Sequence, residues 1–289
     1  MHAAVLNPSR RLSLEHFARA GFAARGAVYI LVGALALLAA IGSGMGDVGG
    51  GKSALKSLVT QPFGAILLGA VGLGLVFFAA WRIVSALVDA DDHGSSAKGL
   101  FTRVLHALSG LVNGALALTA FHLALGTGAV GGDDDSAKDW TAWLLTQPFG
   151  RWLVGAVGLA ILGGGAYHVW KGWKGDVMKR LHAPPARRDL ARMLGRLGYA
   201  ARGVTFGMIG AFLIVAAIRV DSREAKGLGG ALEALEEQPY GWALLAIVAA
   251  GLAAFGAFCV VQALWRRIDA PDIDDARRAV DDLTAKVRS

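Results

Sequence analysis

Carboxylates are missing where this chain is most apolar. No Asp or Glu lies within Gly21–Ile41, Phe63–Val88, Val104–Leu125, Phe149–Trp170, Leu197–Ile218 or Tyr240–Ala263. A proton or cation path through a membrane usually shows acids at depth, so their absence argues against one. Charge is low throughout, with 18% of residues charged against roughly 25% in soluble domains. The single cysteine, Cys259, excludes an internal disulfide. It sits in an apolar run and reads as a small packed residue. No His-Glu-x-x-His, Gly-x-Ser-x-Gly or Walker loop occurs, so an enzyme is not expected. No soluble mature chain follows a cleavable leader, so the first apolar run is expected to stay in the protein. The net charge of +7 does not point to nucleic acid, because the basic residues lie between apolar runs without interleaved aromatics.

The six apolar runs remain. Hydrophobic residues make up 55% of the 289, and mean hydropathy is +0.49. Each run reaches the roughly 20 residues a helix needs to cross hydrocarbon. Backbone groups must be paired in lipid, so each predicts a helix. The runs do not alternate as barrel strands do. Of the loop Lys and Arg, nineteen fall on the side of the termini, from Arg10, Arg11 and Arg19 to Arg288, and six fall on the other. That other side carries Asp133, Asp134 and Asp135. The asymmetry predicts a multi-pass membrane protein with both termini cytoplasmic.

The runs are paired by an internal repeat. Arg19-Ala-Gly-Phe-Ala-Ala-Arg25-Gly26 returns as Arg196-Leu-Gly-Tyr-Ala-Ala-Arg202-Gly203, an offset of 177. Gln61-Pro62-Phe63-Gly64 returns at Gln147 and at Gln238, offsets of 86 and 177. The front of the middle copy, Arg103 to Gly110, aligns at 84. The expected segments are a cytoplasmic start (1–18), repeats at 19–92, 93–182 and 196–269, a basic linker (183–195) and an amphipathic tail (270–289). Two helices per unit give all copies one orientation, unlike inverted repeats. A pseudo-threefold arrangement about the membrane normal is the natural expectation. These motifs in combination resemble the bacterial membrane family catalogued as domain of unknown function 1206. The resemblance covers about Arg19 to Asp269 and implies three two-helix units in a membrane, with no established activity. The middle copy departs from it, with Ser109 where the others have Arg25 and Arg202.

The Gln-Pro-aromatic-Gly motif predicts a re-entry turn, with proline in the first turn of the second helix and the aromatic at the interface. Before it, Ala54-Leu55, Trp140…Trp143 and Ala231-Leu232 predict short helices lying on the outer interface. Gly110-x-x-x-Gly114, Gly203-x-x-x-Gly207, Gly69-x-x-Gly72-x-Gly74 and Gly163-Gly164-Gly165 read as close helix packing. In the tail, Ile273, Ala276, Val280, Leu283 and Val287 recur at helical spacing.

Ionisable residues at membrane depth carry the functional signal. Arg25 reads as about one turn inside the first run, Arg202 repeats it, and Arg82 lies near the end of the second. The corresponding positions are Arg25, Ser109, Arg202 and Arg82, His168, Cys259. Guanidiniums there either snorkel to headgroups or meet an anion whose shape matches their fork. The candidate anion or lipid-headgroup site is Arg25, Arg82, Arg202 and His168. His106 and His168 lack a paired haem signature, and no cofactor or metal is expected. Asn113 reads as helix glue. Two functions remain. One is a structural or interaction protein organising lipids or partners. The other is a transporter or channel for a small anion or lipid-like solute at a basic axial site. Expected partners are membrane lipids, anionic ones included, and a second copy or a protein on the basic cytoplasmic face.

Overall fold

The computed structural model describes residues 8–42, 46, 48–87, 96–127, 131–174, 177–179 and 181–266. The tail at 272–289 and the interfacial acids Asp89, Asp176 and Asp269 lie outside the described residues. Nine α-helices are described: α1 (Pro8–Ala40), α2 (Gly51–Val59), α3 (Gly64–Leu87), α4 (Ala97–Leu125), α5 (Asp133–Leu145), α6 (Gly150–Lys174), α7 (Arg188–Arg219), α8 (Leu228–Glu236) and α9 (Gly241–Trp265). Six of them are long and apolar enough to cross a membrane. The protein is therefore an all-helical, multi-pass membrane protein built from three tandem two-helix units, each with a short helix between its two spans.

Two spans begin earlier than hydrophobicity marks. α1 runs back to Pro8 and α7 to Arg188, through what the charge pattern reads as cytoplasmic start and linker. Polar residues continue these helices beyond their apolar stretches.

Neighbouring spans run in the order α4, α3, α1, α9, α7, α6. Three of these contacts use equivalent residues. A β-carbon at Gly26 would lie 2.8 Å from the Gly256 carbonyl oxygen, where α1 meets α9. One at Gly203 would lie 2.7 Å from the Gly165 oxygen, where α7 meets α6. One at Gly110 would lie 3.1 Å from the Ala79 oxygen, where α4 meets α3. All three join different units. Small residues allow this backbone approach, which supplies the dispersion contacts that hold helices together in lipid.

The same three interfaces are tied at their other end by arginines. Arg19 donates to the Ala263 and Leu264 carbonyls, Arg103 to Ala86 and Leu87, and Arg196 to Gly172 and Trp173. Each guanidinium satisfies carbonyls left over at a helix C-terminus and meets the negative end of its dipole. The first of these interfaces brings the last span back onto the first.

Contacts within a unit are different. In the first unit a β-carbon at Gly21 would lie 2.6 Å from the Phe78 amide nitrogen, and in the third one at Gly198 would lie 2.7 Å from that of Phe255. The middle pair, α4 and α6, has no comparable interface. Its equivalent residues are Leu105 in place of glycine and Gly164 in place of phenylalanine. A leucine holds the helices apart where the glycine would let them close.

The short helices differ from one another. α2 and α8 turn leucines into the core. Leu55 and Leu232 are fully buried, packed with Val32, Leu68, Leu75, Leu245 and Leu252. α5 instead exposes two tryptophans, Trp140 and Trp143. Proline also differs, lying in a four-residue turn rather than in the first turn of the span. The aromatic after it caps the span in left-handed backbone, with φ of 60° at Phe63, 61° at Phe149 and 59° at Tyr240. The next residue must be glycine, since a β-carbon at Gly241 would meet the Glu236 oxygen at 1.9 Å. These aromatics are exposed, along the rim where the short helices sit.

Three consecutive aspartates organise that rim. Asp133 accepts from the Lys52 and Ser53 amides at the start of α2. Asp134 accepts from the Gly227 amide before α8, at 2.6 Å. Asp135 caps its own helix through Gly132. Burial holds the Asp133 carboxyl above the ordinary carboxylate range, against the pull of the Lys52 and Ser53 amides. A carboxyl whose pKa rises on folding stabilises below its unfolded value, and that contribution is lost as pH rises through the folded one. Asp133→Asn, which keeps an acceptor without the charge, is expected to match wild-type thermal stability at neutral pH. Asp133→Ala is expected to lose about 1 kcal/mol, the usual cost of a missing cap. Melting curves of both variants check this, and equal losses in the two would mean that the charge itself holds the rim.

Candidate functional site

The half of the core beside the short helices is built of leucines. In the half away from them, the repeat places Arg25, Arg82, Arg202, His168 and Cys259 on spans of all three units. Arg25 is 3% exposed and Arg202 9% exposed. Arg25 lies ten residues after Glu15, where the first span begins, or about 15 Å along it at 1.5 Å per residue. Measured from Gly21, where the apolar run begins, it lies about one turn in, as the sequence reads. Polar residues occupy the preceding turns, so hydrophobicity alone marks the start of the run only at Gly21.

Aromatic rings surround the two guanidiniums. Arg25 lies 4.7 Å from the Phe78 ring centroid, 5.3 Å from Phe255 and 5.6 Å from Tyr29. Arg202 lies 4.6 Å from Phe206, 4.9 Å from Phe255 and 5.7 Å from Tyr29. They share the faces of Phe255 and Tyr29. Arg82 also sits over Phe78, at 5.2 Å, so it turns toward the other two rather than into lipid. His168 stacks on Tyr199 at 5.4 Å and meets Phe206 edge-on at 5.6 Å. Lys171 donates to the Tyr199 hydroxyl. All four candidate residues from the sequence thus gather around one cage. Cys259 is fully buried beside them.

Among the described residues, no carboxylate joins the cage. Each cation–π contact is worth about 0.5–2 kcal/mol. Removing a charge from water costs several kcal/mol per ion even after relaxation. The rings, and the Tyr29 hydroxyl to which Arg25 donates, do not balance two such charges side by side. The Nε of Arg25 and that of Arg202 are buried without a hydrogen-bond partner. Among the described residues the acids at the cage's end of the spans are Glu15, which pairs with Arg19, and Asp189, which pairs with Arg192. Neither reaches the cage.

The cage is also asymmetric. Phe78 and Phe255 fill equivalent positions, and the third is Gly164. Gly164 is buried, yet a β-carbon there would meet nothing within 4 Å. Sequence reading missed this vacancy, because Gly163-Gly164-Gly165 looks like a packing run. The comparison of the three copies at their offsets contains the signal. Asn113, equivalent to Tyr29, is buried and donates to the Ser109 carbonyl, so its reading as helix glue within α4 is local.

A family model described as Domain of Unknown Function (DUF1206) matches residues 20–89, 104–175 and 197–266. Uncharacterized protein YxxB of Bacillus subtilis (strain 168) is 33% identical over 258 residues, covering 88% of this chain and 92% of that protein. No solved structure matches.

Proposed function

The chain belongs to the family described as Domain of Unknown Function (DUF1206), and from that premise we propose that it binds an anionic group in the inner half of its membrane core, as a solute-handling protein rather than an enzyme or a passive scaffold. One observation carries this reading: Arg25 and Arg202 are both buried within their spans, with no carboxylate beside them among the described residues. Buried charges persist where something pairs with them, and the fork of arginine matches phosphate and carboxylate. The outer half, closed by Leu55, Leu232 and their neighbours, favours access from the inner side or from the bilayer. Titrating purified protein with inorganic phosphate is expected to raise its melting temperature. Arg25→Gln/Arg202→Gln should weaken that response at least tenfold. A wild type indifferent to phosphate and to anionic lipid would return the scaffold reading.

The arrangement about the membrane normal is part of the same proposal. Equivalent glycines and equivalent arginines at three interfaces support a threefold axis running through the cage. The loop charges support a plasma-membrane protein with both termini in the cytoplasm. A reporter fused after Ser289 should then read cytoplasmic, and one inserted at Asp133–Asp135 external. The reverse pattern would place the cage nearer the outer face.

A further inference from the structure

The ring of spans is broken at one place, and the break adjoins the vacancy in the cage. In the first and third units the pair is closed by Gly21 on Phe78 and by Gly198 on Phe255. A second contact repeats the pattern. A β-carbon at Gly74 would lie 2.4 Å from the Ala24 β-carbon, and one at Gly251 would lie 2.4 Å from that of Ala201. The middle unit replaces each element of both contacts. Leu105 stands for the first glycine, Leu108 for the alanine, Ala160 for the second glycine and Gly164 for the phenylalanine. Larger residues are placed where helices must touch, and the smallest is placed where a ring must fill the centre. Both changes act the same way. They part α4 from α6 and leave space leading inward.

The seam is apolar toward the bilayer and basic at its inner end. Leu108 is exposed on α4. Gly163 on α6 is exposed, and a β-carbon there would meet nothing within 4 Å. Phe78 and Phe255, the equivalents of Gly164 in the other two units, pack on Arg25 and Arg202, which are more than nine-tenths buried, each with an unpaired Nε. An apolar slot ending in paired guanidiniums complements an amphiphile with a phosphate or carboxylate head. It does not suit a fully hydrated ion, which would shed its water against leucine.

We propose that the seam between α4 and α6 is a lateral entrance for an anionic lipid, whose headgroup passes Gly164 to reach Arg25 and Arg202 while its tail stays in the bilayer. This rests on the anion-binding reading and adds the ligand class and its route. Gly164 is then a specificity-determining residue. The middle unit has given up the aromatic of its two siblings to admit a headgroup.

The experiment is native mass spectrometry of the full chain in detergent, with dioleoyl phosphatidic acid against dioleoyl phosphatidylcholine. Inorganic phosphate is tested in parallel by thermal shift. The wild type should retain phosphatidic acid at least tenfold better than phosphatidylcholine. Gly164→Phe restores the side chain found at Phe78 and Phe255, and should abolish that preference while melting no lower than wild type. Gly164→Ala should keep it. If Gly164→Phe does not fold, Gly163→Trp carries the same expectation, since it blocks the seam from an open position. Retention of the preference in the blocked variant would overturn the entrance. Stabilisation of the wild type by phosphate without a preference for phosphatidic acid would overturn the lipid and leave the anion site standing. Failure of both probes would remove the site as well.

Discussion

The double variant Arg25→Gln/Arg202→Gln is expected to melt higher than the wild type in anion-free detergent, and to lose the stabilisation that anions give. Most substitutions of buried polar residues destabilise. This pair should do the opposite, because each guanidinium is buried without an acid and the two lie over the same rings. Neutral replacement of buried charges is often neutral or stabilising by about 1–4 kcal/mol. Glutamine keeps hydrogen-bonding capacity and much of the volume, so it removes charge without leaving a large void. With saturating anion the order should invert. A ligand present at a hundred times its Kd stabilises by about 2.7 kcal/mol, and only the wild type would receive it. Melting curves of both proteins, with and without phosphate or anionic lipid, check the two halves together. A double variant that melts lower under every condition would mean that the arginines are satisfied by the protein itself.

The second large effect concerns the joints between units. Gly203→Leu is expected to cost about 3 kcal/mol or more, since its side chain would enter the backbone of α6 and backbone cannot repack as a side chain can. The β-carbon alone would lie 2.7 Å from the Gly165 oxygen and 2.6 Å from a Val169 methyl. For a chain of this size that corresponds to a fall in melting temperature of roughly 10 °C. Gly69→Leu is the control. It is also a glycine in a span, but its β-carbon would meet nothing within 4 Å, so it should melt within about 2 °C of wild type, the range of a neutral substitution. Comparable losses in the two variants would mean that glycine acts through helix propensity or lipid contact instead of interface closeness.

The spans and the units were legible in the sequence because both are written locally. Hydrophobic length shows a span, and Gln-Pro-aromatic-Gly recurs intact three times. The pairing of units was less so. That Gly26, Gly110 and Gly203 each meet another unit, and that Arg19, Arg103 and Arg196 tie it down, depends on which spans are neighbours. The candidate residues Arg25, Arg82, Arg202 and His168 were legible as costly groups at depth, and they do converge. Their setting was not. The rings of Phe78, Phe255 and Tyr29 that enclose Arg25 come from three spans, and no local pattern joins them. The caps made by Asp133 and Asp134 on α2 and α8 join parts of the chain 80 to 93 residues apart, and a run of acids in a loop carries no trace of them. Gly164 reads as one glycine among 40 until the phenylalanines at its equivalent positions are seen to fill the core.

A density map of the protein in nanodiscs containing anionic lipid tests the central claim most directly. The account predicts a feature between the guanidiniums of Arg25 and Arg202, continuous through the space beside Gly164 with density along the seam between α4 and α6. A map in which both arginines are paired by carbonyls and side chains of the protein, with the space beside Gly164 closed, would contradict it.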